Sequence, residues 1–373
     1  MPYQELFNLT TNPFRIIPAK GSNEIYWAGF PDVKEAFEKR IKRSMQISAS
    51  SLVLNWGEYG SGKTHAARYF GKASVLTELA SAANSKIPYF IYLSLPKGKA
   101  PIDDMYTSII DKIDLQGLRD SFGVLREELN AHIDATEDNK HINAVLKAVF
   151  NSDIDVNIVK RYLYKNITAS EIKDLNQYDI LRPLSVDTDF PKIIAGLFTC
   201  ITFKKENYSS IILWIDEFED IAVMTKVNGD KTNSFLRDVL DNTPNNFLVF
   251  LNLTQSALFN IEDLGEYISE AIKSRIKQRV VFELPNEDNL LLYVKELLSF
   301  YRADSDADGR IDYYPFNDTL LKKIFTDLKN GSLRRANEAI GLLLEIAESE
   351  DIAPITEDYY SINKEDVVGA WKD

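Results

Sequence analysis

The chain has 373 residues, of which 45% are hydrophobic and 11% aromatic, which excludes a disordered or low-complexity scaffold. Its 43 Lys and Arg against 56 Asp and Glu give a formal net charge of −13, which argues against a broad, sequence-blind phosphate-binding surface but not against a local basic strip. At roughly 150 residues per domain, this length predicts two to three domains.

The single cysteine, Cys200, cannot form an internal disulfide, and the sequence has no Cys and His cluster with zinc-ligand spacing. These features predict a reducing compartment and no structural zinc. No run approaches the ~18 apolar residues of a membrane-spanning helix. The start, Met1 to Glu5, lacks the charged-then-apolar order of a signal peptide. We therefore expect a cytoplasmic protein without a membrane partner.

Residues 1–50 are expected to form a lead-in that prolines interrupt, followed by a helix from Pro31 to Met45 with apolar residues four apart. Strands that alternate with helices are typical of a parallel sheet with helices on both faces. The fold class predicted is therefore α/β, with a core over 51–284. Five short apolar runs predict its strands, at 51–56, 88–95, 211–215, 247–253 and 279–284.

The stretch between the second and third strands is longer than one connecting helix requires. Helical spacing and a capping box, in which Thr168 precedes Glu171 by three residues, predict an inserted helical subdomain over about 115–190. After residue 284 the pattern is helical only, which predicts a small helical lid over 285–350. The remainder, 351–373, is expected to be an acidic tail, too short for another domain.

Residues 57–64 have the sequence GEYGSGKT and match the phosphate-binding pattern GxxxxGK[ST] between an apolar strand and a helix. Glycines let the backbone turn its N–H groups toward phosphate oxygens, and the helix N-terminus adds positive potential. Lys63 is expected on the terminal phosphates, and the Thr64 hydroxyl on Mg²⁺. A chance glycine-rich turn is the alternative. The nucleotide contacts predicted from this segment are Gly57, Gly60, Ser61, Gly62, Lys63, Thr64 and His65.

The third strand predicts the partner of this loop, because it delivers Asp216 and Glu217 to the carboxyl edge of the sheet. Asp216 is expected to hold the Mg²⁺ water shell, and Glu217 to orient and deprotonate the attacking water. The alternative is an acidic cap between a strand and a helix. Glu219 and Asp220 are interpreted as solvated acids.

Polar residues also end the fourth strand. Asn252 is the candidate that hydrogen-bonds the attacking water or the γ-phosphate, and Thr254, two residues on, is the second candidate. Because Asn is common in turns, a simple strand-end turn is the alternative.

A basic strip from Lys273 to Arg279 precedes the fifth strand. Arg275 can act as an arginine finger toward the nucleotide of a neighbouring subunit. The alternatives are a solvated basic helix end and a phosphate contact to nucleic acid. In the lid, Arg334 is expected to reach the γ-phosphate and couple lid closure to the nucleotide, with Arg335 as the second choice and a surface arginine as the alternative.

Residues Asp304 to Asp312 resemble a calcium-binding loop, since acidic residues alternate before a glycine. The position that should carry a bidentate Glu is Pro315, and an acidic turn between two lid helices is the alternative. Calcium binding is therefore left open.

The order of these motifs over residues 25–350 resembles the AAA+ ATPases. The sequences GEYGSGKT, SRI at 274–276 and GSLRRA at 331–336 look most like the replication-initiator and origin-recognition branch. The lead NPF at 12–14 and YWAG at 26–29 are similar to transposition-helper and secretion-associated ATPases of bacteria. The resemblance implies a Mg²⁺- and ATP-dependent oligomer with sites between subunits, in which Tyr26, Trp27 and Ala28 lie near the adenine.

The same resemblance frames the function. Initiators usually carry a C-terminal winged-helix domain, and the chain is expected to end too early for one, which argues against direct sequence-specific DNA binding. One expectation is an oligomeric switch or motor in replication, transposition or genome defence, with DNA as a partner. The alternative is an ATP-gated switch whose insertion grips an effector protein. A small-molecule phosphotransferase is less favoured because no acceptor-binding signature is visible.

Overall fold

All five predicted strands form one parallel sheet, in the order β2-β3-β4-β1-β5. The computed structural model describes residues 2–14, 25–255, 264–304, 312–329 and 331–369. The α/β class is thus confirmed. The strands are β1 (Ser51–Glu58), β2 (Tyr89–Ser94), β3 (Ile211–Asp216), β4 (Phe247–Gln255) and β5 (Ile276–Phe282).

The central strands are apolar throughout because both faces of the sheet are covered. Leu213 and Ile215 of β3 face one core, whereas Ile212 and Trp214 between them face the other. The period of two residues along a strand produces this alternation. The carboxyl ends of the parallel strands therefore lie at one edge of the sheet, where polar residues follow the apolar runs.

Helices cover both faces. One face packs against the helices before and after the phosphate loop, and the other packs against helices that connect β2 to β3 and β3 to β4. In chain order the helices are α1 (Pro2–Phe7), α2 (Pro31–Gln46), α3 (Lys63–Phe70), α4 (Ala73–Ala82), α5 (Pro101–Asp111), α6 (Leu115–Phe122), α7 (Arg126–Thr136), α8 (Lys140–Val149), α9 (Val156–Leu163), α10 (Ala169–Leu175), α11 (Phe190–Ile201), α12 (Lys226–Asn242), α13 (Leu264–Tyr267), α14 (Glu270–Lys273), α15 (Glu287–Phe300), α16 (Asp318–Asp327), α17 (Leu333–Ser349) and α18 (Glu357–Val368).

Helices α6 to α10 lie within the predicted insertion. Thr168 and Glu171 form the expected capping box at the start of α10. The buried guanidinium of Arg119 donates to the carbonyl oxygens of Val149 at 2.6 Å and Ile154 at 2.6 Å, which ties α6 to the end of α8. The apolar residues of these helices belong to the same core as the sheet, so the insertion is fixed to the sheet rather than forming a separate body.

The lid contains more of the chain than the sequence indicated. Its core includes residues from both chain ends, because Phe7 and Leu9 pack with α15, α16 and α17, and Tyr360 of α18 is fully buried among them. The prediction of an acidic tail is therefore wrong for Glu357–Val368, a helix that completes the lid. Residues 2–14 likewise belong to the lid core and are not a free lead-in.

Two smaller findings complete the fold. Strand β5 begins at Ile276, earlier than predicted, because Ile276 already pairs with Leu52 of β1. Within the described ranges, no helix combines the length and apolarity needed to cross a membrane.

Candidate nucleotide-binding site

A cavity of about 320 Å³ opens at the carboxyl edge of the sheet, between the phosphate loop and the lid. Small-molecule sites typically begin at about this size. Its walls include the segment before α2, the loop at 59–65, the ends of β3, β4 and β5, and the lid. The lining residues include Tyr26, Trp27, Ala28, Gly60, Ser61, Gly62, Lys63, Thr64, His65, Asp216, Glu217, Glu219, Thr254, Tyr293, Arg334 and Asn337.

The phosphate loop has the backbone that anion binding requires. Gly60 and Gly62 have φ of 77° and 102°, a left-handed region that favours glycine. Gly57 is also needed for space, because a Cβ there would lie 2.7 Å from Cβ of Phe282. The loop thus leads directly into α3, so the first backbone N–H groups of this helix lie at its cavity end.

Lys63 lies under this loop and is 6% exposed. Its Nζ donates to the carbonyl oxygens of Gly57 at 2.9 Å and Glu58 at 2.8 Å, and to Oγ of Ser61 at 3.2 Å. Burial lowers the pKa of the Lys63 ammonium to about 8, against the opposing effect of nearby carboxylates. The loop thus holds the ammonium beside the place where phosphate oxygens are expected to bind.

The predicted magnesium ligands meet directly. Oγ1 of Thr64 donates to Oδ2 of Asp216 at 2.7 Å, although the two residues come from opposite sides of a long insertion. Hydroxyl and carboxylate oxygens suit Mg²⁺, which also keeps several waters. In the described part of the chain, no group of three or more His, Cys, Asp or Glu lies close enough together to hold a metal ion by itself.

Asp216 is held by three further donors. Tyr92 donates its hydroxyl to Oδ2 at 2.8 Å, Asn252 donates Nδ2 to Oδ1 at 2.9 Å, and the backbone N–H of Glu217 donates to Oδ1 at 3.0 Å. The carboxylate is 4% exposed, and its rotamer is fixed by these bonds. This shell is what a metal-holding carboxylate needs to keep its orientation.

Asn252 does not line the cavity, contrary to the prediction. It is fully buried, and its Oδ1 accepts from Nδ2 of Asn55 at 2.8 Å and from Nε1 of Trp214 at 2.9 Å. All its side-chain hydrogen bonds therefore go to the protein. Thr254, the second candidate, lines the cavity two residues later.

Glu217 is exposed to the cavity directly after β3, as predicted. Its backbone adopts a left-handed conformation with φ of 55°, which turns the chain out of the strand into the 3₁₀ helix Phe218–Val223. Burial, together with the charges of Asp220, Asp216 and Glu219, raises the pKa of Glu217, while Lys97 opposes the shift. A raised pKa suits a group that takes a proton.

Glu219 and Asp220 are not simply solvated acids. Oε2 of Glu219 accepts the backbone N–H of Thr254 at 3.1 Å and thereby joins the ends of β3 and β4. Oδ2 of Asp220 forms an ion pair with Nζ of Lys97 at 2.8 Å. Both acids thus organise the rim around Glu217.

The segment expected near the adenine lines the apolar side of the cavity. Nε2 of His65 lies 2.8 Å from the carbonyl oxygen of Tyr26, and burial lowers the pKa of the imidazole. The Tyr26 ring stacks on Phe300 of the lid with centroids 4.2 Å apart. Nε1 of Trp27 donates to the carbonyl oxygen of Gly29 at 2.8 Å. This segment therefore links α3 to the lid.

Arg334 reaches the phosphate loop from the first turn of α17. Its Nη1 donates to the hydroxyl of Tyr59 at 2.6 Å, and its Nε donates to Oε1 of Glu338 at 3.2 Å. These acceptors raise the pKa of the guanidinium. Arg335 does not line the cavity.

Arg275 lies just before β5, at the amino ends of the strands, whereas the cavity lies at their carboxyl ends. Its Nη2 pairs with Oδ1 of Asp241 at 2.5 Å, and its Nη1 donates to the carbonyl oxygen of Ala271. The seven residues of β5 separate it from the cavity edge by about 20 Å, at roughly 3.3 Å per residue. Arg275 cannot reach the nucleotide site of its own subunit.

Most of the candidate calcium loop, residues 305–311, lies outside the described residues. Its last acid, Asp312, forms an ion pair with Lys295 at 2.5 Å.

The sequence analysis missed the side chains behind Asp216. Tyr92 could not be assigned without knowing that β2 lies beside β3. Asn55 and Asn252 did leave a signal, since each is the single amide in the short apolar run, 51–56 or 247–253, that predicted its strand. They lie in register on β1 and β4, where buried amides are expected to pair.

At the level of sequence, no protein-family model and no curated protein matches this chain. Solved structures do match its fold. One is the ORC2 protein of Aeropyrum pernix in ADPNP and ADP complexes, with a TM-score of 0.54 and 14% identity over 96% of this chain and 72% of that one. Another is the ORC1 protein of Aeropyrum pernix in complex with DNA, with a TM-score of 0.50 and 14% identity over 96% of this chain and 69% of that one. Joined to a phosphate loop, an acidic strand end and a helical lid in the expected order, this likeness shows that the chain has the fold of the AAA+ ATPases.

Proposed function

We propose that this protein is a Mg²⁺-dependent ATPase of the AAA+ type that works as an oligomeric switch or motor. One observation carries the proposal. Thr64 and Asp216 come within 2.7 Å of each other beside the buried Lys63, and Glu217 faces the same cavity.

The residues fit their roles chemically. Lys63 and the loop N–H groups would bind the phosphates, and Thr64 with Asp216 would hold Mg²⁺. Bound Mg²⁺ supplies charge neutralisation on the phosphate oxygens. Glu217, with its raised pKa, would orient the attacking water and accept its proton.

The proposal of an oligomer depends on Arg275. An arginine finger that acts in trans must lie away from the site of its own subunit, as Arg275 does. Its exposed partner Asp241 can release it, since a surface ion pair contributes only about 0–1 kcal/mol. We propose that Arg275 completes the site of a neighbouring subunit.

A nucleic-acid process is the use that we favour. Lys277 and Arg279 are exposed on β5 and form no ion pair with any described residue, which leaves local positive charge in an acidic chain. The structure of the A. pernix ORC1 protein in complex with DNA supports this use by analogy of fold. Recruitment of an effector protein by the insertion is the alternative.

The experiment that tests the ATPase is Glu217→Gln. The variant should bind ATP like the wild type and lose turnover by at least about a hundredfold, as expected for removal of a general base. Wild-type turnover in this variant would refute the role of Glu217.

The experiment that tests the oligomer and the use is light scattering in ADP and in a slowly hydrolysed ATP analogue, with and without duplex DNA. Analogue-dependent assembly that DNA strengthens supports the nucleic-acid use, and assembly indifferent to DNA supports the effector alternative. A monomer under every condition would refute the trans role of Arg275.

A further inference from the structure

The tyrosine of the phosphate loop has a role that the phosphate-binding pattern does not supply. Tyr59 occupies a variable position of the loop and is 68% exposed. Its ring lies under the guanidinium of Arg334, with Cζ 5.0 Å from the ring centroid, and its hydroxyl accepts from Nη1 at 2.6 Å. The side chain thus offers the arginine both a π-face and a hydrogen-bond acceptor.

The backbone around Tyr59 is built for this contact. A Cβ added at Gly60 would lie 2.6 Å from Cβ of Arg334 and 3.2 Å from Oγ of Ser332, the residue that caps α17. Only glycine lets the lid helix approach the loop this closely. The contact between Tyr59 and Arg334 therefore lies where the start of α17 packs closely on the phosphate loop.

Arg334 donates to two acceptors of unequal strength. Glu338 accepts from Nε at 3.2 Å, and the neutral hydroxyl of Tyr59 accepts from Nη1. A hydrogen bond from a guanidinium to a phosphate oxygen joins two opposite charges in a geometry that suits both groups, so it is stronger than the bond from the same guanidinium to an uncharged hydroxyl. A third phosphate in the cavity would thus displace the hydroxyl of Tyr59, whereas a nucleoside diphosphate would leave it in place.

We propose that Tyr59 binds Arg334 until a third phosphate displaces it, and that Tyr59 thereby sets the ratio of the affinities for nucleoside triphosphate and diphosphate. Tyr59 is a positioning residue, because it acts through the arginine and not on the reacting atoms. The inference rests on the proposed ATPase function. It adds that part of the binding free energy of the third phosphate is spent on detaching Arg334 from Tyr59.

The test is a calorimetric comparison of ADP and AMP-PNP binding, in Mg²⁺, to the wild type, Tyr59→Phe, Arg334→Ala and the double variant. Tyr59→Phe keeps the ring and removes the acceptor. It should raise AMP-PNP affinity by roughly three- to tenfold, in the net range of one ordinary hydrogen bond because the contact is exposed, and leave ADP affinity unchanged. Arg334→Ala should lower AMP-PNP affinity and abolish the effect of Tyr59→Phe.

Tyr359→Phe is the matched control, since it removes a hydroxyl that donates to Glu350 at 2.7 Å in the lid, away from the cavity. It should leave both affinities as in the wild type. Equal changes in ADP and AMP-PNP affinity in Tyr59→Phe, or an effect that persists without Arg334, would overturn the inference alone. Failure of the wild type to bind either nucleotide would overturn the proposed function together with it.

Discussion

Replacing Asn252 by alanine should destabilise the whole protein, because this side chain joins three strands and does not face the cavity. The side chain of Asn252 is fully buried on β4. It forms hydrogen bonds with Asn55 on β1 and with Trp214 and Asp216 on β3. Alanine would leave the buried Nδ2 of Asn55 and Nε1 of Trp214 without their acceptor. Asp216 would also lose one of the donors that fix its rotamer.

The magnitude follows from these partners. A buried donor left unsatisfied costs about 1–3 kcal/mol, so two of them give a loss of about 3 kcal/mol in the free energy of unfolding. Folded proteins have only about 5–15 kcal/mol to lose. Asn252→Ala should therefore shift the urea midpoint strongly without changing the slope of the transition.

The assay is urea unfolding followed by far-UV circular dichroism, with Thr254→Val as the matched control on the same strand. Thr254 is half-buried at the cavity wall, so the control should change the free energy of unfolding by about 0.5 kcal/mol or less. An Asn252→Ala protein as stable as the Thr254→Val protein would refute this reasoning. It would favour the original hypothesis that Asn252 contacts the attacking water or the γ-phosphate.

Three more predictions concern Tyr92, Lys63 and the distant Arg275. Tyr92→Phe removes the donor to Oδ2 of Asp216 and should raise the Mg²⁺ concentration for half-maximal ATP turnover by about tenfold; an unchanged Mg²⁺ requirement would contradict it. Bound phosphates should raise the pKa of Lys63 from about 8. The affinity for ADP should therefore be constant below pH 8 and should fall above it by at most about tenfold per pH unit. The accompanying proton uptake can be measured by calorimetry in buffers of different ionisation enthalpy. A decline that begins well below pH 8 would count against this assignment. Arg275→Ala breaks an exposed pair with Asp241 and should cost under about 1 kcal/mol in stability while lowering turnover by about a thousandfold or more; equal turnover would show that Arg275 is a surface cation only.

The parts of the site that a local pattern encodes could be predicted from the sequence. The loop around Lys63 and the acids after β3 lie where a strand ends and a helix or turn begins, so chain order alone puts them at one edge of a parallel sheet. Tyr92 and Asn55 escaped prediction because their roles depend on which strands are neighbours, and that order is a property of the whole fold. The contacts of Asn252 depend on the same strand order, because its buried side chain bonds residues on β1 and β3.

The lid shows the same limit on a larger scale. The helical pattern predicted a small helical lid, but the burial of Phe7 depends on α1 contacting α17, more than three hundred positions away along the chain. Tyr360 is buried because α18 packs on α16 and α17. The acidic composition of the last segment was also misleading, because a helix needs only a few apolar residues on one side to pack. In α18 these include Tyr360 and Val367.

The packing of residues 2–14 into the lid has a consequence for synthesis on the ribosome. The backbone N–H of Thr10 donates to the carbonyl oxygen of Tyr301 at 2.9 Å, and Leu9 forms a bridge with Arg302. Residues 2–14 therefore have no packing partner until the lid helices have emerged, whereas the sheet has all its strands once Phe282 has been made. At about 5–20 residues per second, the first segment stays exposed for tens of seconds, and its apolar side chains are a natural target for chaperones that bind nascent chains.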